Sequence, residues 1–170
     1  MTLATQIAPL QDKLPQMEFR WDFDTEILTG KFAAGLPDST QPQAIELGDA
    51  GGSFVTLSLD GSVLAGLEVV VWPEYKTSTE LTPPRPERQG RLEIRLDEAA
   101  QKVGVVELKV ELSCEKNGDE STIHLVVGDP RTVDSVTLAE NLLAEVDTKG
   151  GLAGFWLLAV PPFPSAAPHR

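Results

Sequence analysis

Between Val106 and Ser113 the chain alternates: Val106, Leu108, Val110 and Leu112 are separated by Glu107, Lys109 and Glu111. A period of two predicts a strand with one buried face. Asn117-Gly118 follows, a pair suited to a tight hairpin turn, and Ser121 to Val127 is the expected return strand. Pairing across such a turn sets Leu112 opposite Ile123, Val110 opposite Leu125 and Leu108 opposite Val127. A second hairpin is predicted from Ser53–Leu59 and Val63–Trp72, around Asp60-Gly61-Ser62. A tight Asp-Gly turn would put Glu68 on the apolar face. A longer loop with a glycine bulge gathers Val55, Leu57 and Leu59 with Val63, Ala65, Leu67, Val69 and Val71, and is preferred because it buries no carboxylate.

The segments Leu64–Trp72 and Leu152–Val160 are apolar on both faces, and the second carries no charge. Such strands lie between two layers. Asp134–Val146 fits either a helix capped by Ser135 or two short strands. Strands are preferred, because the matching stretch holds Gly48, Gly51 and Gly52. Residues 1–16 form an N-terminal extension with a short helical turn expected before Pro15.

An internal repeat organises the rest. Met17-Glu18-Phe19-Arg20-Trp21-Asp22 matches Leu92-Glu93-Ile94-Arg95-Leu96-Asp97, and Leu64-Ala65-Gly66-Leu67 matches Leu152-Ala153-Gly154-Phe155. The matches occur in the same order, which predicts a duplication. A first β repeat over 17–73 and a second over 92–161, the latter with an inserted hairpin, are joined by a proline-rich linker over 74–91 and followed by a flexible tail over 162–170. The expected fold is all-β, with room for a minor helix. Its antiparallel meander halves would pack as a sandwich or open barrel.

Composition narrows the function. The 170 residues are 41% hydrophobic and 24% charged, as in a soluble globular protein, and no apolar run is long enough to span a bilayer. A formal charge of −12 repels phosphate backbones and argues against nucleic-acid binding. The single cysteine, Cys114, excludes an internal disulfide and a cysteine-based zinc site. A cytoplasmic protein with no membrane contact is expected.

Ile123-His124-Leu125-Val126-Val127-Gly128-Asp129-Pro130, then Asn141 to Asp147 and Gly150-Gly151-Leu152-Ala153-Gly154-Phe155-Trp156-Leu157-Leu158, resemble the small uncharacterised bacterial β-meander proteins of the YuzE type. The likeness covers the second repeat best and the first weakly. It implies a β-rich bacterial module and brings no activity or site.

Candidate chemistry is sparse. Asp22, Asp24 and Glu26 would share one face of a strand and are weak candidates for a hard cation or a hydrolase, against a solvated turn. His124 is expected opposite Glu111 on the wet face, either as a cross-strand pair or as a general base with its orienter. Cys114 is expected inward, opposite Ser121, as a small apolar filler. His169 lies in the tail. No nucleophile elbow, phosphate loop or dinucleotide fingerprint occurs, so no cofactor, metal or catalytic residue is assigned. Trp72, Trp156, Leu158 and Val160 are the candidate interface or ligand residues, since exposed they would form a patch that monomers rarely tolerate. The sequence therefore points to a non-catalytic interaction or assembly module, a homo-oligomer or one bound to a protein partner. A small apolar or aromatic ligand binder with a cavity between the halves is the alternative, and a hydrolase using Asp22, Asp24 or Glu26 the third reading.

Overall fold

A computed structural model describes residues 2–33 and 42–164. In chain order the elements are β1 (Ala4–Ala8), β2 (Met17–Trp21), β3 (Leu28–Phe32), β4 (Pro42–Gly48), β5 (Phe54–Asp60), β6 (Val63–Val71), β7 (Tyr75–Thr77), β8 (Arg88–Gln89), β9 (Arg91–Arg95), α1 (Glu98–Val103), β10 (Val105–Lys109), β11 (Leu112–Lys116), β12 (Ile123–Val127), β13 (Val133–Ala139), β14 (Leu142–Asp147) and β15 (Leu152–Leu157). They form two sheets. The eight-stranded sheet runs β1-β9-β6-β5-β4-β10, with β3 also on β6 and β2 on β3; the seven-stranded sheet runs β7-β11-β12-β15-β14-β13-β8. One apolar core unites them, with Leu28, Ile45, Leu57 and Leu67 from the first and Ile123, Leu125, Phe155 and Leu157 from the second.

The all-β architecture is as the alternation predicts, and Asp134–Val146 forms the two strands β13 and β14 rather than a helix. Other expectations change. The sheets are mixed, because β10 runs parallel to β4, β7 to β11 and β8 to β13. The N-terminal stretch is strand β1, paired antiparallel with β9, in place of the expected helical turn. The topology does not confirm the sequence repeat. Met17–Trp21 forms a hairpin with β3, whereas its counterpart Leu92–Arg95 lies beside β1.

Both hairpin registers also differ. Lys116 pairs with Ile123, Cys114 with Leu125 and Leu112 with Val127, while Val106 and Leu108 belong to β10 in the other sheet. Side chains in the loop cause the shift: Thr122 N donates to Asn117 Oδ1 and Ser121 N to Asp119 Oδ1, building a longer connection than Asn-Gly alone requires. In the first hairpin Asp60 pairs with Val63 and Leu59 with Leu64, and an irregularity then sets Leu57 against Leu67 and Val55 against Val69. Ala65 is the extra residue of a bulge, so facing changes along β6: Leu64, Leu67 and Val69 are buried and Val71 is exposed. Helix α1 is held by signals present in the sequence, an Asp97 cap accepting from Ala100 N and a left-handed Gly104 at its end.

The proline-rich linker is part of the fold. Its ends are β7 and β8, which lie on opposite edges of the seven-stranded sheet, so residues 78–87 must cross from edge to edge. Laid flat, six strand spacings make about 29 Å at ~4.8 Å each. The intervening residues span about 34 Å when fully extended. Proline favours this extended backbone. The shared core fills the inner face of this sheet and leaves the outer one. There Trp156 and Leu143 are buried although neither joins that core.

Candidate binding site

The tryptophans separate on the two faces of the second sheet. Trp156 pairs in register with His124 on one side and Leu143 on the other. Its indole stacks on the His124 ring at 4.1 Å and 9°. It is only 6% exposed, and its Nε1 is buried without a partner among the described residues. Val160 is buried too and Leu158 half-buried. The chain thus covers Trp156 and Val160 itself, and they offer no surface to a partner. Trp72 belongs with the opposite, inner face, so it cannot line one cavity with Trp156 as the sequence suggested.

His124 Nε2 and Glu145 Oε1 lie 2.5 Å apart, and Gly154 makes this possible. Glu145 pairs with Gly154, which pairs with Val126 beside His124. The carboxylate therefore reaches over β15, through the space a side chain at 154 would fill. The partner of His124 is Glu145 rather than the expected Glu111, because the hairpin register moves Glu115 opposite His124. Cys114 is inward and packed against Leu125 rather than Ser121, and burial pushes its thiol up to about 12.

At the end of the sandwich where β2, β6 and β11 finish, the aromatic residues converge. Trp21 closes β2 and Trp72 follows β6; their rings stack at 5.6 Å. Phe163 meets Trp21 edge-on at 5.3 Å and stacks on Phe23 at 6.0 Å. Lys116, whose residue is 5% exposed, directs its Nζ between Trp72 and Tyr75, 4.1 Å from each ring centroid. The result is a continuous track of five rings: Phe23, Phe163, Trp21, Trp72 and Tyr75. Indole hydrogen bonds lock it in place, from Trp21 Nε1 to the Pro161 carbonyl at 2.8 Å and from Trp72 Nε1 to the Glu26 carbonyl at 3.1 Å. The first part of the expected loose tail is thereby docked, and residues 165–170, with His169, lie outside the described residues.

The track is open to solvent. Phe23 is 50%, Val71 48% and Tyr75 46% exposed, while Trp21, Trp72 and Phe163 are half-buried. Carboxylates border it. Asp22, Asp24 and Glu26 are exposed in the β2–β3 loop, and the charge of Glu120 beside Tyr75 is the main cause that raises the phenol's pKa. Beyond Trp21 a depression of about 370 Å³ is lined by Glu18, Arg20, Asp22 and Lys31.

Asp22, Asp24 and Glu26 lie exposed in one loop and do not converge as a metal-binding group. Asp22 Oδ1 accepts from Asp24 N and Thr25 N, so this carboxylate shapes its own loop. Among the described residues no group of three or more His, Cys, Asp or Glu side chains converges on a point. Sequence reasoning found Trp72 but missed Phe23, Tyr75, Phe163 and Lys116. The local signal for Phe23 was an aromatic residue within a polar turn. Nothing local announced Phe163 or Lys116, which arrive from distant parts of the chain. No known family model matches this chain, and no curated protein matches it in sequence. No helix among the described residues is long and apolar enough to cross a membrane.

Proposed function

We propose that this protein is a non-catalytic interaction module that contacts its partner through the aromatic track. One observation carries the reading: five rings meet at one end of the sandwich with Phe23 and Tyr75 about half exposed. Aromatic side chains supply large contact area with few rotatable bonds, which is why they anchor protein interfaces. Trp21 and Trp72 pack against the shared core, whereas Phe23 and Tyr75 lie outside it and face solvent. The strongly acidic remainder of the surface keeps the body soluble. A bacterial setting is our reading from the resemblance, and a cytoplasmic one accords with the single free cysteine.

Site-specific photo-crosslinking tests this. A benzophenone side chain is placed at Phe23 or Tyr75, and at Val103 as a remote position that is 72% exposed. Irradiation in the producing cells is expected to give one discrete adduct from positions 23 and 75 and none from 103. A second copy of the chain in that adduct would make the module a homo-oligomer. Absence of adducts at 23 and 75, or equal adducts at 103, refutes the assignment.

A further inference from the structure

We infer that the occupant of the aromatic track is a basic segment of a partner protein, an extended stretch that lays lysine or arginine side chains across the rings. This rests on the interaction-module reading and adds the chemistry of the partner. Two observations point to a cation. First, the protein already places a buried ammonium against these rings: Lys116 Nζ sits 4.1 Å from the centroids of both Trp72 and Tyr75. Among the described residues its side chain has no carboxylate within ion-pair distance. Trp72 and Tyr75 thus each already give one ring face to a cation.

Second, the charges around the rings complement a cation. Asp22, Asp24 and Glu26 flank the Phe23 and Trp72 end, and Glu120 flanks Tyr75. Lys116 is already engaged by two rings, and Arg20 and Lys31 line the depression beyond Trp21 together with Glu18 and Asp22. The net charge of −12 favours approach of the same kind of partner. Spacing agrees as well. Successive ring centroids lie 6.0, 5.3 and 5.6 Å apart from Phe23 to Trp72. Alternate side chains of an extended peptide are about 6.6 Å apart, so basic residues at every second position fall near consecutive rings. A nucleic acid is disfavoured by the same carboxylates.

The probe is a short blocked peptide in which lysine alternates with serine, titrated against the full chain while tryptophan emission is followed. Trp21 and Trp72 report the track, and buried Trp156 supplies a constant background. Saturable binding is expected, weakened about tenfold by Phe23→Ala or by combined Asp22→Asn, Asp24→Asn and Glu26→Gln. Asparagine at 22 retains the oxygen that caps the loop. Neutralising the remote Glu98→Gln and Glu107→Gln is expected to change affinity less than twofold. Circular dichroism confirms that each variant is folded. Equal binding of a glutamate–serine peptide, or equal weakening by the remote pair, overturns the inference. So does indifference to Phe23→Ala. If the crosslinks at 23 and 75 form while the basic peptide fails to bind, only the cationic assignment falls. If the crosslinks fail, the module reading itself falls.

Discussion

Replacing Gly154 by alanine places a methyl group where two structures already meet. A Cβ built there lies well inside van der Waals contact with the Leu125 carbonyl oxygen, and 3.0 Å from Glu145 Oε1. The carboxylate can swing aside, at the cost of its contact with His124. The carbonyl cannot, because it belongs to β12, which is paired with β15 itself. Relief requires the two central strands of the seven-stranded sheet to part, with Phe155 and Leu157 fully buried beneath them. Overpacking in a close-packed interior costs about 1–3 kcal/mol, and a rigid backbone obstacle puts this case near the top, at about 3 kcal/mol. For a chain of this size that corresponds to a fall in Tm of about 6–12 °C. Gly154 also has a positive φ, +158°, so Gly61→Ala is the control for backbone strain. Its φ of +63° strains an alanine, but nothing lies within 4 Å of the new methyl. Left-handed strain alone is about 1 kcal/mol, or a fall of about 2–4 °C. Thermal unfolding followed by calorimetry separates the two. If Gly154→Ala melts within 1 °C of the parent (roughly the scatter of such a scan against these shifts), or above Gly61→Ala, the close-approach argument is wrong.

Three further outcomes test the interior and the site. Cys114, with a thiol pushed up to about 12 by burial, is expected to react with a disulfide reagent at pH 8 only as fast as the chain opens; immediate stoichiometric labelling of the native protein contradicts that burial. Lys116→Met keeps the packed stem and loses the cation, costing about 1 kcal/mol, whereas Lys116→Ala loses both and costs about 2–3 kcal/mol in urea denaturation; the reverse order rules out ring contact as the ammonium's anchor. Asp147 accepts from Gly151 N and Lys149 N and pairs with Arg131 at 2.9 Å, and these bonds, with Gly151 first, hold its carboxyl below the usual range. A depressed folded pKa stabilises the fold above the unfolded value of ~3.9 and loses that stability as pH falls through the folded one. Asp147→Asn is therefore expected to cost about 1 kcal/mol at pH 7 and progressively less below about pH 4. A pH-independent difference in denaturation midpoint shows that the charge has no part in it.

The chain's own alternation determined that the protein is all-β, and its uncharged apolar run that β15 is covered on both faces. These follow from side-chain period and from faces that water cannot wet, which are properties of neighbouring residues. Registers were less legible. The bulge at Ala65 and the side-chain-capped loop at 117–122 each depend on contacts across a hairpin, and either one moves every later pair. Trp156 was correctly read as needing cover, but only the tertiary structure shows the linker running from one edge of the sheet to the other and His124 stacked on the indole. The track of Phe23, Phe163, Trp21, Trp72 and Tyr75 draws on residues as far apart as 21 and 163. No local pattern could assemble it, since the free energy that brings those rings together belongs to the packing of two whole sheets and not to any segment that carries them.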